Sequence, residues 1–198
     1  MAPDRDPKTR SRRPRRDAEA NRERVLLAAV HAVRREGPKV PMATIAADAD
    51  VGVGTVYRHF PTREDLLAAL SARSFGIVLE NLRIASEAGP RAGDRVAAFL
   101  DATITRRAEL VLPLHGGPVV ADAAVLELRR QVGRAVEALL APGVADGSLR
   151  ADLTAGDVVL FGAMLAEPLA TVTDWDAIAR RQARIYVDGI AGPDRVDD

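Results

Sequence analysis

The densest grouping of side chains able to do chemistry is residues 54–60, Gly-Thr-Val-Tyr-Arg-His-Phe. Seven positions carry two hydroxyls (Thr55, Tyr57), a guanidinium (Arg58) and an imidazole (His59), beside a glycine. These groups donate hydrogen bonds, and arginine carries a permanent positive charge. They suit recognition of phosphates and base edges better than the making or breaking of bonds. Arg58 can pair with guanine or phosphate, His59 with phosphate, and Thr55 and Tyr57 with either. Gly54 lets a ligand approach the backbone closely.

Catalysis has little support elsewhere. The three histidines (His31, His59, His115) are scattered, and there is no cysteine. That excludes disulfides, thiolate nucleophiles and Cys-based zinc sites, and it favours an intracellular, cytoplasmic protein. None of the H-E-x-x-H, G-x-S-x-G or G-x-x-x-x-G-K-[ST] patterns occurs. Leu114 to Pro118, "LHGGP", resembles an esterase oxyanion loop, but no nucleophile elbow accompanies it. "VGVGT" (51–55) follows no strand and lacks the third glycine of a dinucleotide fingerprint. No catalytic residue, metal or cofactor is expected.

Positioning such a cluster requires a folded scaffold, and the composition supplies one. Apolar residues make up 47% of the 198, enough for a core. The net charge of zero hides an asymmetry. Residues 1 to 73 carry 15 Lys or Arg against 10 Asp or Glu, while residues 74 to 198 carry 13 against 18. A basic front on an acidic body fits a front that meets a polyanion. The longest apolar run, Val158 to Ala166, is far shorter than the roughly 20 residues that span a bilayer. No membrane partner is expected.

Helical spacing recurs along almost the whole chain. Residues 1–16, rich in Arg and Pro, are expected to be a disordered basic arm. Arg10, Arg12, Arg13, Arg15 and Arg16 could follow phosphates or a minor groove. From Asp17 to Glu36, Leu26, Ala29, Val30 and Val33 form an amphipathic stripe that ends at Gly37-Pro38. Short helices follow at about Met42 to Asp48 and Val53 to His59. A long helix then opens at Thr62, a natural N-cap followed by the acidic Glu64 and Asp65. Beyond "AGPRAG" (88–93), Val96, Phe99, Leu100, Thr103, Arg107 and Leu110 share a face. Val125, Leu128, Val132, Val136 and Leu139 share the next. A long connection from Ala141 ends at Thr154, a second expected cap. Val158 to Val172 contains one charge, Glu167, and Pro168 is expected to bend this helix and free a carbonyl. Trp175, Ile178, Gln182, Ile185, Tyr186 and Ile190 mark the last helix.

Two short helices joined by a tight turn are a helix-turn-helix, whose second helix can enter a major groove about 12 Å wide. Ile45, Ala46, Val51, Val56 and Phe60 would hold the pair to a core. Val53, Gly54, Thr55, Tyr57, Arg58 and His59 would then face outward. Residues 42–70, "MATIAADADVGVGTVYRHFPTREDLLAAL", resemble the DNA-binding segment of TetR-type (tetracycline-repressor-like) transcriptional regulators. The shared pattern is Ile45-Ala46, Ala49-Asp50-Val51, Gly54-Thr55-Val56-Tyr57, His59-Phe60 and Arg63-Glu64-Asp65-Leu66. With the first helix, the resemblance covers about residues 20–72. Three positions depart from the family pattern. The usual turn glycine is Asp50, the usual capping serine is Gly52, and Pro41 stands where a hydroxyl residue often meets a phosphate.

The resemblance implies an all-α fold: a three-helix DNA-binding domain over residues 17–72, then a helical ligand-binding and dimerisation domain over 73–191, with 192–198 as a tail. It implies a homodimeric, ligand-responsive repressor on a pseudo-palindromic double-stranded DNA operator, released by a small-molecule effector. Thr55, Tyr57, His59 and Arg63 match positions that commonly touch the DNA backbone. Val53 and Arg58 are the expected sequence readers. Candidate effector contacts are Phe75, Phe99, Thr103, Arg107, His115, Phe161, Met164 and Glu167. Phe161, Leu165, Leu169, Ile178, Gln182 and Ile185 are the candidate dimer surface. Ala163, Ala166, Ala179 and Ala183 would allow close approach across a two-fold axis. The alternative of a helical protein-interaction adaptor would use the same stripes, but it has no need of a Gly-Thr-Val-Tyr-Arg-His-Phe helix.

Overall fold

The computed structural model describes residues 12–113, 117–169 and 171–192. Regular structure among the described residues is helical, apart from one isolated bridge between Leu149 and Ala191. The chain divides into two compact units, Met1–Leu70 and Ser71–Asp198.

The first unit holds α1 (Arg12–Glu36), α2 (Met42–Asp48), α3 (Val53–His59) and the first turns of α4 (Arg63–Ala85). α1 starts five residues earlier than its apolar stripe suggests, so residues 12–16 are helical where a disordered arm was expected. Arginine is a good helix former, and Pro14 sits in the first turn, where its missing N–H costs no intrahelical bond. Arg10 and the side chains of Arg12, Arg13, Arg15 and Arg16 lie outside the described residues. The expected stripe Leu26, Ala29, Val30 and Val33 is buried, and Ile45, Ala46, Val56 and Phe60 join it.

The turn between α2 and α3 follows from one backbone conformation. Asp50 lies in the left-handed region, at φ 51°. Its N–H donates to the Ala47 carbonyl, and the Val51 N–H donates to the Ala46 carbonyl. This is the paired closure of a Schellman motif, which satisfies the last carbonyls of α2 and turns the chain sharply into α3. Asp tolerates that conformation better than most residues. After Pro61, Thr62 and Asp65 cap α4 reciprocally. The Asp65 N–H donates to Thr62 Oγ1 at 3.1 Å, and the Thr62 N–H donates to Asp65 Oδ2 at 2.9 Å.

The second unit contains the rest of α4, then α5 (Ala92–Thr105), α6 (Ala123–Asp146), α7 (Ala155–Ala166) and α8 (Trp175–Gly189). α5 is central and packs on α6, α7 and α8. Val96, Leu100, Ile104, Val136 and Val158 are fully buried there. Thr154 caps α7 with a full capping box to Asp157.

Three elements differ from the sequence reading. α5 stops at Thr105, and Arg107 begins a short 3-10 turn ending at Glu109. Polar contacts pull this stretch off the helix axis. Arg106 holds Glu109 at 2.9 Å, Arg107 pairs with Asp176 of α8, and the Val111 N–H donates to the buried Ser74 Oγ. α6 continues through Pro142 to Asp146, where a loop was expected from Ala141. Gly143 explains the persistence. A Cβ there would meet the Ala92 side chain at 2.5 Å and Leu149 at 2.7 Å, so α6 packs at a distance only glycine permits. That packing offsets the roughly 3 kcal/mol that a mid-helix proline costs. Finally, α7 ends at Ala166 instead of bending at Pro168 and running on to Val172. Glu167 is extended, as the residue before a proline tends to be. The freed Leu165 carbonyl accepts a hydrogen bond from Trp175 Nε1 at 2.7 Å.

Candidate nucleic-acid interface and effector cavity

α3 is held by one side and offers the other. Val56 is fully buried, while Val53 and Tyr57, one helical turn apart, are 45% and 49% exposed. An aromatic and a branched apolar side chain left half in water are costly choices for a solitary surface. Arg58 is also exposed, and it makes no hydrogen bond or ion pair with any described residue. Gly54 sits between them. A Cβ there would meet nothing within 4 Å, so packing inside the chain does not demand glycine. Its cost in a helix, about 0.5–1 kcal/mol relative to alanine, is left without an internal explanation. Close approach of something outside the chain supplies one.

The remaining expected contacts are less free. Thr55 and His59 are half-buried, and the His59 ring stands 6.3 Å from that of Phe60 at 53°. Arg63 is half-buried, and its Nη1 donates to the carbonyls of Val40 at 2.6 Å and Pro38 at 3.2 Å. That guanidinium therefore ties the start of α4 to the chain leading into α2, which positions the helix pair. Sequence reading missed Arg22, whose guanidinium lies 5.2 Å from the centroid of the Phe60 ring. This cation–π contact braces the end of α3 from α1. Nothing in the spacing of α1 singles Arg22 out from its other arginines.

The second unit contains a cavity of about 380 Å³ that opens to solvent. That lies within the roughly 300–1,000 Å³ of small-molecule sites. Phe75 of α4 and Phe99 and Thr103 of α5 line it. Thr103 Oγ1 donates to the Phe99 carbonyl at 2.9 Å, so what it offers the cavity is an acceptor. The other candidate contacts lie elsewhere. Arg107 is taken up by Asp176, and Phe161 stacks on Tyr186 with ring centroids 4.0 Å apart. Met164 is 61% exposed, and Glu167 is an exposed C-cap. His115 lies outside the described residues. The wall that sequence reading missed is α6, which contributes Arg129, Val132, Gly133 and Glu137 at helical spacing. The i, i+4, i+8 step of Arg129, Gly133 and Glu137 was visible in the sequence, but a glycine between two charges reads as solvated surface.

α7, α8 and the connection between them expose a set of large apolar side chains. Leu160, Met164, Leu169 and Ile185 are each more than half exposed, and Ile178 is 40% exposed. Gln182 shares the exposed side of α8. Leu165 does not belong to this set, since it is buried in the chain's own core. Phe161 is half-buried in its stack on Tyr186. Ala163, Ala166, Ala179 and Ala183 are also buried, so they let helices of one chain pack closely and do not face outward. No helix among the described residues is long and apolar enough to cross a membrane.

A helix-turn-helix unit followed by a helical unit with a cavity defines a class of DNA-binding regulators, and comparison with known proteins agrees. Residues 25–70 match the family described as bacterial regulatory proteins of the tetR family. The HTH-type transcriptional repressor KstR of Mycobacterium tuberculosis is 28% identical over 136 residues. That match spans 66% of this chain and 62% of KstR, so just under two thirds of the relative's length is represented. The crystal structure of a TetR transcription regulatory protein from Mycobacterium vanbaalenii superposes with a TM-score of 0.61 at 28% identity, covering 89% of this chain and 98% of that one. The fold is also that of AibR, solved in complex with isovaleryl coenzyme A and operator DNA. Its TM-score is 0.69 at 14% identity, over 83% of this chain and 97% of AibR. The match makes residues 25–70 a tetR-type DNA-binding segment, and the relatives that the longer chain resembles are named as transcriptional regulators, not as enzymes.

Proposed function

We propose that this protein is a ligand-responsive transcriptional repressor, acting in the cytoplasm as a homodimer on a pseudo-palindromic operator. The observation that carries the reading is the outward face of α3: Val53, Tyr57 and Arg58 exposed and unspent, around a glycine that internal packing does not require. Val53 and Arg58 read bases. Thr55, Tyr57 and His59 contact the DNA backbone, and Arg63 holds the helix pair in register. KstR, named a repressor, supports the direction of the output. AibR, which holds both operator DNA and a small molecule, supports the pairing of two ligands on this fold.

The exposed residues of α7, α8 and the connection between them supply the dimer surface, with Leu160 and Met164 added to Leu169, Ile178, Gln182 and Ile185. A two-fold pairing of these helices sets the distance between the two α3 helices. The cavity holds the effector, and binding favours a dimer shape whose α3 spacing no longer fits the two half-sites. The domains follow the same division: DNA binding over 17–72, effector binding and dimerisation over 73–191. Fluorescence anisotropy with the intergenic DNA upstream of the gene tests this reading. Specific binding, with one dimer per operator, is expected. Binding no tighter than to random DNA at every salt concentration would overturn it for that site.

A further inference from the structure

The cavity wall contributed by α6 has an arrangement of charge that the rest of the helix does not. On its outer side, Glu127 accepts hydrogen bonds from Arg130, Arg134 and Gln131. Those charges satisfy one another. Arg129 and Glu137, both exposed and lining the cavity where it opens to solvent, make no hydrogen bond or ion pair with any described residue. They lie eight residues apart on one stripe, about 12 Å along the helix axis, too far to pair with each other. Between them the wall is apolar or missing, formed by Val132 and Gly133. A Cβ at Gly133 would meet nothing within 4 Å, so this glycine leaves open space. Phe75 and Phe99 lie in the walls contributed by α4 and α5.

We propose that the cavity takes an elongated apolar molecule with a group at each end: an anion paired by Arg129, and a hydrogen-bond donor, hydroxyl or ammonium, accepted by Glu137. The inference rests on the cavity being the effector site and names the chemical class of the effector. Gly133 serves the apolar middle. Its missing side chain gives an alkyl chain room to lie along α6 between the two charges. Arg129 suits a carboxylate because its planar fork can donate two parallel hydrogen bonds. A polar group at each end, with an apolar body between, is the general design of a selective small-molecule site.

The test uses ω-hydroxyoctanoate, octanoate and 1-octanol as probes, with binding to the full-length protein measured by isothermal titration calorimetry. The hydroxy acid is expected to bind tightest. Loss of the carboxylate (1-octanol) is expected to weaken binding by about tenfold or more. Arg129→Gln should bring ω-hydroxyoctanoate down by a similar factor while leaving 1-octanol unchanged. Glu137→Gln should remove the preference for the hydroxy acid over octanoate. Gly133→Leu should abolish binding of all three, and a retained helical circular dichroism spectrum and melting temperature would separate a filled cavity from a misfolded chain. Equal affinity for the three probes, binding indifferent to Arg129→Gln, or no binding of any probe would overturn the proposal. Operator binding measured in parallel separates the two claims. Probe binding that leaves operator affinity unchanged would sink release by an effector while leaving the cavity's chemistry standing.

Discussion

At Gly54 the chain accepts a helix-destabilising residue that no internal contact requires, beside exposed Val53, Tyr57 and Arg58. If DNA is the reason, stability and binding should move in opposite directions. Gly54→Ala is expected to raise the free energy of unfolding by up to about 1 kcal/mol while weakening operator binding, measured by urea denaturation and anisotropy. Tyr57→Ala should leave stability within about 0.5 kcal/mol, as for an exposed side chain, and reduce operator affinity by at least about tenfold. Asp50 gives the complementary case. Its left-handed backbone at φ 51° is intrinsic to the turn. Asp50→Gly should therefore stabilise the fold by up to about 1 kcal/mol, since glycine carries no Cβ penalty there. The residue types at 53–59 were legible because they are local: all lie within a single short helix. Their occupancy was not. That Arg63 is spent on two carbonyls and that Arg22 braces Phe60 are consequences of tertiary contacts, which no spacing along the chain encodes.

Among the elements, capping signals read well and helix ends set by packing did not. Thr62 and Thr154 cap α4 and α7 as their sequences imply, because a capping box is a four-residue device. The ends of α5, α6 and α7 depend on partners far along the chain. Asp176 takes Arg107 out of the α5 stripe, Ala92 and Leu149 hold α6 past Pro142, and Trp175 takes the carbonyl released where α7 stops. Gly143→Ala should accordingly destabilise the second unit by roughly 1–3 kcal/mol through overpacking, although alanine is the better helix former. A fall in melting temperature checks this. α6 also carries the clearest pH signature. Hydrogen bonds from Arg134, Arg130 and Gln131 hold the Glu127 carboxyl at about 2, below its ordinary 4.5. A folded-state value lower than the unfolded one means the stabilisation is present above about pH 4.5 and is lost as pH falls toward 2. A Glu127→Gln variant should therefore differ from the parent at neutral pH and converge with it over that acid window. Screening at this exposed site keeps the difference small, and added salt should shrink it further.

For the whole molecule, the class was legible and the faces were not. An all-helical chain with a helix-turn-helix near its front follows from 3.6-residue spacing and one local motif. Which side of α7 and α8 faces the core does not, because Val158 to Ala166 is apolar nearly all round and periodicity cannot choose a side. The alanines and Leu165 turn inward, and the larger side chains Leu160, Met164 and Ile185, with Leu169 of the connection between the helices, turn outward. The outward set should be the dimer contact. Leu169→Glu combined with Ile185→Glu is expected to give a folded monomer by sedimentation velocity at micromolar concentration, with operator binding weakened. A parent chain that sediments as a monomer under the same conditions would remove the dimer from the account.

The most direct measurement is anisotropy of the purified protein on its own upstream intergenic DNA, titrated across a salt series beside random DNA of equal length. The account predicts binding to the upstream DNA that exceeds the control at physiological salt and is lost in Tyr57→Ala. Equal, steeply salt-dependent binding to both DNAs, unchanged by Tyr57→Ala, would contradict it, because α3 would then carry no part of the recognition.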